Sequence, residues 1–402
     1  MAQGTTVLDL RRRNRARVLR EVLLAGESTR ASLANTTDLS TATVTNVVSS
    51  LMAEGLIQEA GTFPSNGGRP ISRLAPRPET AYVIGADVGE HGMAVELFDL
   101  ALRRVDRVFD DVPSMVATPQ TIATTLGDAV STIRERNPSV EGRLMGLGLG
   151  LPGIVDTSSD GGRILHAQTF GWDPVDVREL FHDPGLPLLA DNGGRTMAMA
   201  EMWRGGARQV DHCIVALIGR GVGAGFIVEG NLIRGRSNSA GEWGHTKMSL
   251  EGRDCACGGK GCLEAYVGGR GIMERWLDAG GTPQGTEEQA VQQLIARARA
   301  GNEVAISVLD ETVDILGTGL ANLVNLFNPE KVIIGGWAGL ALSSVRLGDI
   351  AQRVTEQSLI RPAQHVCIEA SSLGTDAVAL GAALLPLQQL VEGSIPSPGL
   401  PA

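Results

Sequence analysis

The stretch YVIGADVGEHGMAVELFDL, residues 82–100, has the pattern of a β-strand, a glycine-containing turn and a second β-strand. Residues 213–235, CIVALIGRGVGAGFIVEGNLIRG, repeat this pattern. The backbone N–H groups of such a turn can wrap the phosphates of a nucleotide. Because each hairpin is followed by further strands and helices, the sequence predicts a duplicated α/β domain with a cleft between two lobes.

Two more glycine-rich stretches fit the same architecture. LMGLGLGLPGIVD, residues 144–156, is typical of a buried strand that ends at Pro152-Gly153. NPEKVIIGGWAGLA, residues 328–341, is a strand that runs into Gly335-Gly336 before a helix, which is the usual position for adenosine or phosphate contacts. Each turn alone is a weak signal, and it is their order along the chain that indicates the fold.

Composition narrows the class of protein. The chain has 402 residues, of which 43% are hydrophobic, enough for two or three domains. It has no run of 18 apolar residues and no secretory signal, so we expect a cytoplasmic protein. Residues 1–77 carry ten arginines and six acidic residues, a net charge of +4, whereas the rest has a net charge of −14. A basic head on an acidic body favours nucleic-acid binding by the head alone, although +4 is modest and also fits an ordinary solvated surface.

The head predicts a winged helix-turn-helix. Apolar spacing indicates three short helices, the third beginning at the candidate N-cap Ser40 and ending before Gly55. LIQEAG and ISRLAP, on either side of PSNGG, predict the two strands of the wing. The third helix would enter the major groove with its first residues leading, unless its small polar side chains only cover a solvent face. The residues expected to contact DNA are Ser40, Thr41, Thr43, Thr45, Asn46 and, on the wing, Arg69.

A cluster of cysteines in HTKMSLEGRDCACGGKGCLEAY predicts a metal site. His245, Cys255, Cys257 and Cys262 provide one nitrogen and three sulfurs, which suit tetrahedral Zn²⁺ in a closed, structural site. The alternative is three free buried cysteines. Cys213 and Cys367 lie in apolar strands, and we expect both to be core residues.

The order of these motifs resembles the ROK family (repressors, open reading frames and sugar kinases) over residues 80–387. The resemblance implies a two-lobed, actin-like ATPase fold and the same four zinc ligands. A winged helix ahead of that fold is what ROK regulators carry and ROK kinases lack. The resemblance also implies a hexose-binding cleft, whose residues would be Gly153, Thr169, Asn192, Glu242, His245 and Glu264. Carboxylates suit this role because they accept hydrogen bonds from adjacent sugar hydroxyls.

The sequence departs from ROK kinases at the groups that perform phosphoryl transfer. Kinases need an aspartate as general base, and here ADNGGRTMAMAE has Gly193 at that position unless a register slip brings in Asp191. The first phosphate loop, DVGEHG, carries Glu90, which would repel phosphates. Arg220 stands where the family usually has threonine. We therefore expect no kinase activity.

The favoured hypothesis is a sugar-responsive transcriptional regulator, with repression as the expected sign. It would bind operator DNA and a sugar or sugar phosphate as a homodimer or homotetramer, away from membranes. The alternatives are an active ATP-dependent sugar kinase with an added DNA-binding domain, and a regulator controlled by a protein partner. The expected organisation is a DNA-binding domain over 1–77, lobe one over 78–190 with a C-terminal helix over 374–391, lobe two over 191–373, and a disordered tail over 392–402.

Overall fold

The computed structural model describes residues 7–63, 70–89, 92–110, 118–157, 162–183 and 185–395. The predicted wing residue Arg69 and the phosphate-loop residue Glu90 lie outside these ranges, as do residues 396–402 of the predicted tail. Among the described residues, no helix combines the length and the apolar character needed to cross a membrane.

The head consists of three helices and an antiparallel hairpin in the order expected for a winged helix-turn-helix. Its elements are α1 (Val7–Ala25), α2 (Arg30–Thr37), α3 (Thr41–Ala53), β1 (Ile57–Phe63) and β2 (Ile71–Pro76). Thr29 caps α2 in a capping box with Ser32, and the Ser40 side chain accepts a hydrogen bond from the backbone N–H of Thr43 at the start of α3. The helices enclose a small core of completely buried side chains: Val18, Leu19, Val22, Leu23, Val44, Val48 and Leu51.

Lobe one is built on a five-stranded sheet of order β10-β6-β3-β4-β5. The hairpin β3–β4 is antiparallel, whereas β3, β6 and β10 are parallel, and a separate three-stranded sheet, β7-β8-β9, lies beside them. The elements of this lobe are β3 (Tyr82–Gly89), β4 (Gly92–Asp99), β5 (Arg104–Asp110), α4 (Pro119–Arg136), β6 (Leu144–Leu151), β7 (Ile154–Thr157), β8 (Arg163–His166), β9 (Val175–Asp176) and β10 (Leu188–Asn192).

Lobe two follows α5 (Gly193–Arg204) and repeats the plan with a sheet of order β13-β12-β11-β14-β15. The hairpin β11–β12 is antiparallel and β11, β14 and β15 are parallel, as the duplicated sequence pattern predicts. Its elements are β11 (Cys213–Ile218), β12 (Val222–Val228), β13 (Asn231–Leu232), α6 (Glu264–Val267), α7 (Gly269–Asp278), α8 (Glu287–Arg299), α9 (Glu303–Phe327), β14 (Lys331–Gly335), α10 (Trp337–Gln357), α11 (Ile360–Ala363) and β15 (Cys367–Ala370).

The last helix, α12 (Ala377–Val391), returns to lobe one and packs across its sheet. A Cβ at Gly148 would lie 1.8 Å from the carbonyl oxygen of Ala382, and one at Gly85 would lie 2.0 Å from that of Ala379. Only glycine allows this approach, which explains the alternating glycines of LMGLGLGL.

One apolar cluster joins the head to the body. Side chains of α1, including Val18 and Leu19, share it with Trp203 of α5 and with Leu384 and Leu390 of α12. The head is therefore packed against α5 and α12.

One expectation about the isolated cysteines is wrong. Cys213 is buried, as predicted, but Cys367 is exposed, because β15 is an edge strand of its sheet. Within the segment expected to be a disordered tail, Ile395 packs against the cluster that joins head and body.

Candidate functional site

A cleft of about 650 Å³ contains every residue that the sequence suggested for sugar binding. Its walls come from both lobes: the ends of β3 and β6 and the turn after β8 in lobe one, and the β11–β12 turn and the loop before α6 in lobe two. The six predicted residues that line it are Gly153, Thr169, Asn192, Glu242, His245 and Glu264.

Asn192 connects two backbone segments that line the cleft. It ends β10 and caps α5, because its Oδ1 accepts a hydrogen bond from the backbone N–H of Gly194 at 2.8 Å. Its Nδ2 donates to the carbonyl oxygen of Gly153, also at 2.8 Å. Gly153 has φ +109°, and a Cβ there would lie 2.4 Å from the carbonyl oxygen of His166, so the turn requires glycine. The Asn192 side chain thus joins the β6–β7 turn to the first turn of α5.

Gly193 is the first residue of α5 and lines the cleft, where it presents no carboxylate. A Cβ at this position would meet its nearest atom, Cδ2 of Leu217, at 3.6 Å, so the site has room for a side chain. Asp191 is buried and is absent from the described cleft lining. Its carboxylate accepts a hydrogen bond from Nε of Arg195 at 2.7 Å and pairs with Arg234, so it is committed to two guanidinium groups.

His245, Cys255, Cys257 and Cys262 come together as the sequence predicts, with one ligand atom from each lying within 4.8 Å of the others. The Sγ atoms of Cys257 and Cys262 are 3.8 Å apart, and Nδ1 of His245 is 3.7 Å from Sγ of Cys255. Zn–S and Zn–N bonds of ~2.3 and ~2.05 Å at tetrahedral angles require separations of about 3.8 and 3.6 Å. The four residues therefore fit a tetrahedral zinc ion, and Gly258 and Gly261, with φ +84° and +67°, supply the bends.

The cysteine cluster and the cleft share two side chains. His245 turns Nδ1 toward the cluster, and its Nε2 lies 3.9 Å from a carboxylate oxygen of Glu242. Glu264 accepts a hydrogen bond from the backbone N–H of Val222 at 2.9 Å, and its other oxygen is 3.7 Å from Sγ of Cys255. Burial raises the pKa of Glu242 above its usual value, against the opposing effect of His245 and Arg195.

A direct hydrogen bond crosses the cleft between the lobes. Nε2 of Gln168, in lobe one, donates to the carbonyl oxygen of Cys257 in the cysteine loop at 2.8 Å. Nothing in the sequence predicted this contact, because the two residues are 89 positions apart.

Nothing in the sequence identified a group of three carboxylates on and beside the β3–β4 hairpin: Asp87, Glu96 and Asp376. Burial, together with the negative charges of the neighbouring Glu96 and Asp376, raises the pKa of Asp87 to about 7. Arg107 lines the cleft but pairs with Glu96 at 3.0 Å and with Asp376 at 3.5 Å. The positive charge of Arg107 is therefore largely balanced by these two carboxylates.

On the head, the predicted DNA-contacting residues lie at the N-terminal end of α3. Ser40 serves as the N-cap, and Thr41, Thr45 and Asn46 are exposed while Thr43 is half-buried. They form a single polar surface at the tip of the helix.

Comparisons with known sequences and known structures point to the same protein family. The sequence pattern of the ROK family matches residues 83–389. The chain is 29% identical over 387 residues to the xylose repressor of Caldicellulosiruptor bescii, covering 92% of this chain and 94% of the repressor. Residues 83–402 make up only about four-fifths of the chain, whereas the match to the repressor covers 92% of it. The match therefore extends into the head.

Solved structures show the same fold. A ROK family transcriptional regulator, a homologue of the Escherichia coli MLC protein, has a TM-score of 0.76 at 24% identity, over 96% of this chain and 97% of that one. A ROK family glucokinase from Streptomyces griseus, in complex with glucose and AMPPNP, has a TM-score of 0.65 at 26% identity, over 77% of this chain and all of that one. From the family pattern and the shared fold, the chain belongs to the ROK family.

Proposed function

We propose that this protein is a sugar-responsive, DNA-binding transcriptional repressor whose cleft binds a sugar or sugar phosphate without phosphorylating it. One observation carries the proposal: a single helix, α5, starts in the cleft and ends against the head. Asn192 and Gly193 at its N-terminus belong to the cleft, and Trp203 near its C-terminus lies under Arg20 of α1, with 5.7 Å between the guanidinium carbon and the ring centre.

This connection provides a physical route for regulation. The sugar-binding candidates Thr169 and Glu242 come from different lobes, so a bound sugar would favour one arrangement of the lobes over another. A shift of lobe two against lobe one would act on α5, which contacts β12, α12 and, through Trp203, α1. The differential affinity of the sugar for the two arrangements then becomes a difference in operator affinity.

Zn²⁺ is the cofactor we propose for His245, Cys255, Cys257 and Cys262. Four protein ligands leave no open position, which is typical of a structural site. Its role would be to fix the loop that carries His245 and to hold Glu264 beside it, so that both face the cleft. Lys247 supports this arrangement, because its Nζ donates to Sγ of Cys262 at 2.9 Å and places a positive charge beside the ligand sulfurs.

For DNA binding, we propose that α3 enters the major groove with Thr41, Thr45 and Asn46 at base edges, and that Arg69 on the wing contacts the backbone. A homodimer on a palindromic site follows the usual logic of such heads. Most apolar residues of α9 are buried in lobe two, but Leu326 and Phe327 at its end are exposed and are candidates for the dimer surface.

The proposal can be tested by measuring operator affinity with and without sugars. A DNA duplex selected by the protein from a random-sequence pool would be titrated by fluorescence anisotropy, alone and with D-xylose, D-glucose, N-acetyl-D-glucosamine and their phosphates. We expect one of these to change the Kd by about 5- to 150-fold, the usual range of allosteric coupling. Specific DNA binding that none of these compounds alters would refute the effector role of the cleft.

A second function, an active sugar kinase, is favoured by the similarity to the Streptomyces griseus glucokinase. Gly193 and the paired state of Asp191 oppose it, because neither provides a free carboxylate in the cleft. A coupled assay for ADP release with the same sugars separates the two functions. Sugar-dependent turnover well above the background without sugar would establish the kinase.

A further inference from the structure

On the side of lobe two, the cleft is lined by a glycine turn between β14 and α10. Turns of this kind hold nucleotides in other α/β domains. β14 runs parallel to β11 and leads through Gly335 and Gly336 into α10. Phosphates and nucleosides bind at such strand-to-helix turns because the helix N-terminus offers free N–H groups. Gly336 has φ +75°, and a Cβ on it would lie 2.5 Å from the carbonyl oxygen of Ile218, so the turn packs directly on the end of β11.

In this chain an indole occupies the space in front of that turn. Trp337, the first residue of α10, lies between the β11–β12 turn and the start of α7. A Cβ on Gly269 would be 2.2 Å from Cη2 of the indole, and a Cβ on Gly219 would be 3.3 Å from its Nε1. The backbone N–H of Gly269 also donates to the carbonyl oxygen of Gly219 at 2.8 Å. Turn, indole and helix therefore form one packed wall, in which the indole fills the space over Gly219 and Gly269.

The charges in this half of the cleft are equally unsuited to polyphosphate. Arg220, in the turn itself, pairs with Glu287 at the start of α8 with a separation of 3.5 Å. Both side chains are largely buried, with 18% and 12% of their surfaces exposed. The next residue, Glu288, lines the cleft, and across from it, on the side of lobe one, so do Asp87 and Asp376. Carboxylates in a poorly solvated cleft repel phosphate, and of the described residues the two arginines that line the cleft, Arg107 and Arg220, are already paired with carboxylates.

We propose that Trp337, assisted by the Arg220–Glu287 pair, excludes nucleotides from the cleft, so that a sugar or sugar phosphate binds without ATP. The inference deepens the proposed function, on which its choice of ligand rests. Trp337 is thus a specificity-determining residue: it separates this chain from a nucleotide-binding kinase by filling the nucleoside position, independently of the missing base at Gly193.

The test measures binding of Mg-AMPPNP by isothermal titration calorimetry, with no sugar or DNA present. We expect no saturable binding by the unaltered chain. Trp337→Ala, and more strongly Trp337→Ala combined with Arg220→Thr, should show saturable binding, at least about tenfold tighter than the weakest affinity that the titration can detect. Trp172→Ala is the matched control, because it removes a half-buried indole that lies outside the described cleft lining and should leave the chain without nucleotide affinity.

The outcomes are distinct. If the unaltered chain binds Mg-AMPPNP as tightly as the variants, the indole does not exclude nucleotides. If the variants retain the circular dichroism spectrum of the unaltered chain and still do not bind, Trp337 is not the barrier. Should Trp337→Ala fold poorly, Trp337→Phe gives the same comparison, because it keeps an aromatic ring in the wall but removes the part of the indole that lies nearest to Gly269. Neither negative result affects the sugar-dependent DNA binding measured separately, and a failure of that assay leaves the nucleotide result intact.

Discussion

Arg15 of α1 holds the C-terminal end of α12. Its Nη1 donates to the carbonyl oxygens of Leu390 and Val391, both at 3.2 Å, and its Nη2 pairs with Glu54 at 2.6 Å. The last carbonyls of a helix have no partner within the helix and carry the negative end of its dipole, so a guanidinium at this position stabilises the junction between head and body. If sugar binding reaches the head through α5 and α12, this junction must transmit it.

The size of the effect follows from these contacts. Hydrogen bonds to a charged group contribute about 1.5–3 kcal/mol, and Arg15 is sheltered enough, with 19% of its side chain exposed, to keep much of this. Allosteric coupling energies are usually 1–3 kcal/mol, so the loss is comparable with the whole expected response. Arg15→Ala should therefore reduce the sugar-dependent change in operator Kd to less than about threefold.

The assay is the anisotropy titration described above, with the compound that gives the largest response. Arg17→Ala is the matched control: it removes the same charge from an exposed position on the same helix. Any loss of phosphate attraction should weaken binding equally with and without sugar, leaving the ratio unchanged. Arg15→Lys should respond like Arg15→Ala, because an ammonium cannot span the two carbonyls and Glu54 at once. A folded Arg15→Ala variant with the full sugar response would refute this route of coupling.

Three other perturbations address the metal, the cleft and the buried carboxylates. Cys257→Ser should lose zinc by elemental analysis and should melt at a lower temperature. The control, Cys367→Ser at an exposed position, should keep its zinc and its melting temperature. Zinc retained at one ion per chain in Cys257→Ser would rule out the proposed ligand set. Glu242→Ala should abolish the sugar response without changing operator affinity in the absence of sugar. The control, Glu251→Ala at an exposed position, should keep the full sugar response. An unchanged response in Glu242→Ala would point to another effector site. Because burial raises the pKa of Asp87 from 3.8 to about 7, the folded chain keeps a proton that the unfolded chain releases, so stability should fall as pH rises from about 4 to 7. Asp87→Asn should therefore raise the melting temperature at pH 8 and flatten its pH dependence, and a variant that melts lower at pH 8 would contradict the direction.

The residues that could be predicted from sequence are those whose role depends on local spacing. Cys255 and Cys257 are separated by one residue and Cys262 follows a glycine bend, so few folds can keep their sulfurs apart. Asn192 ends a strand and begins a helix, which fixes it at the edge of the sheet where ligands bind.

The remaining features depend on contacts between distant segments. Cys367 belongs to an apolar strand, but strand composition does not distinguish an edge from a centre, and the edge position exposes it. Gln168 bonds to a residue 89 positions away, and Arg15 to carbonyls more than 370 positions away. Trp337 follows two glycines in a pattern typical of a nucleotide site, and only the packing of its indole on Gly269 reverses that interpretation.

A buried arginine two residues after Gly193 ties the cleft to α5. Arg195, in the first turn of this helix, is buried and pairs with Asp191. Its Nη1 also donates to the carbonyl oxygens of Asn238 and Ala240, in the loop that leads to Glu242. A sugar that moved Glu242 would therefore strain a bonded connection to α5. Breaking that connection would leave Nη1 of a buried guanidinium without a partner, at a cost of about 1–3 kcal/mol, although Asp191 would still pair with the rest of the group. The loop and the helix are consequently expected to move as one body, which gives the sugar a direct mechanical connection to the end of α5 that contacts the head.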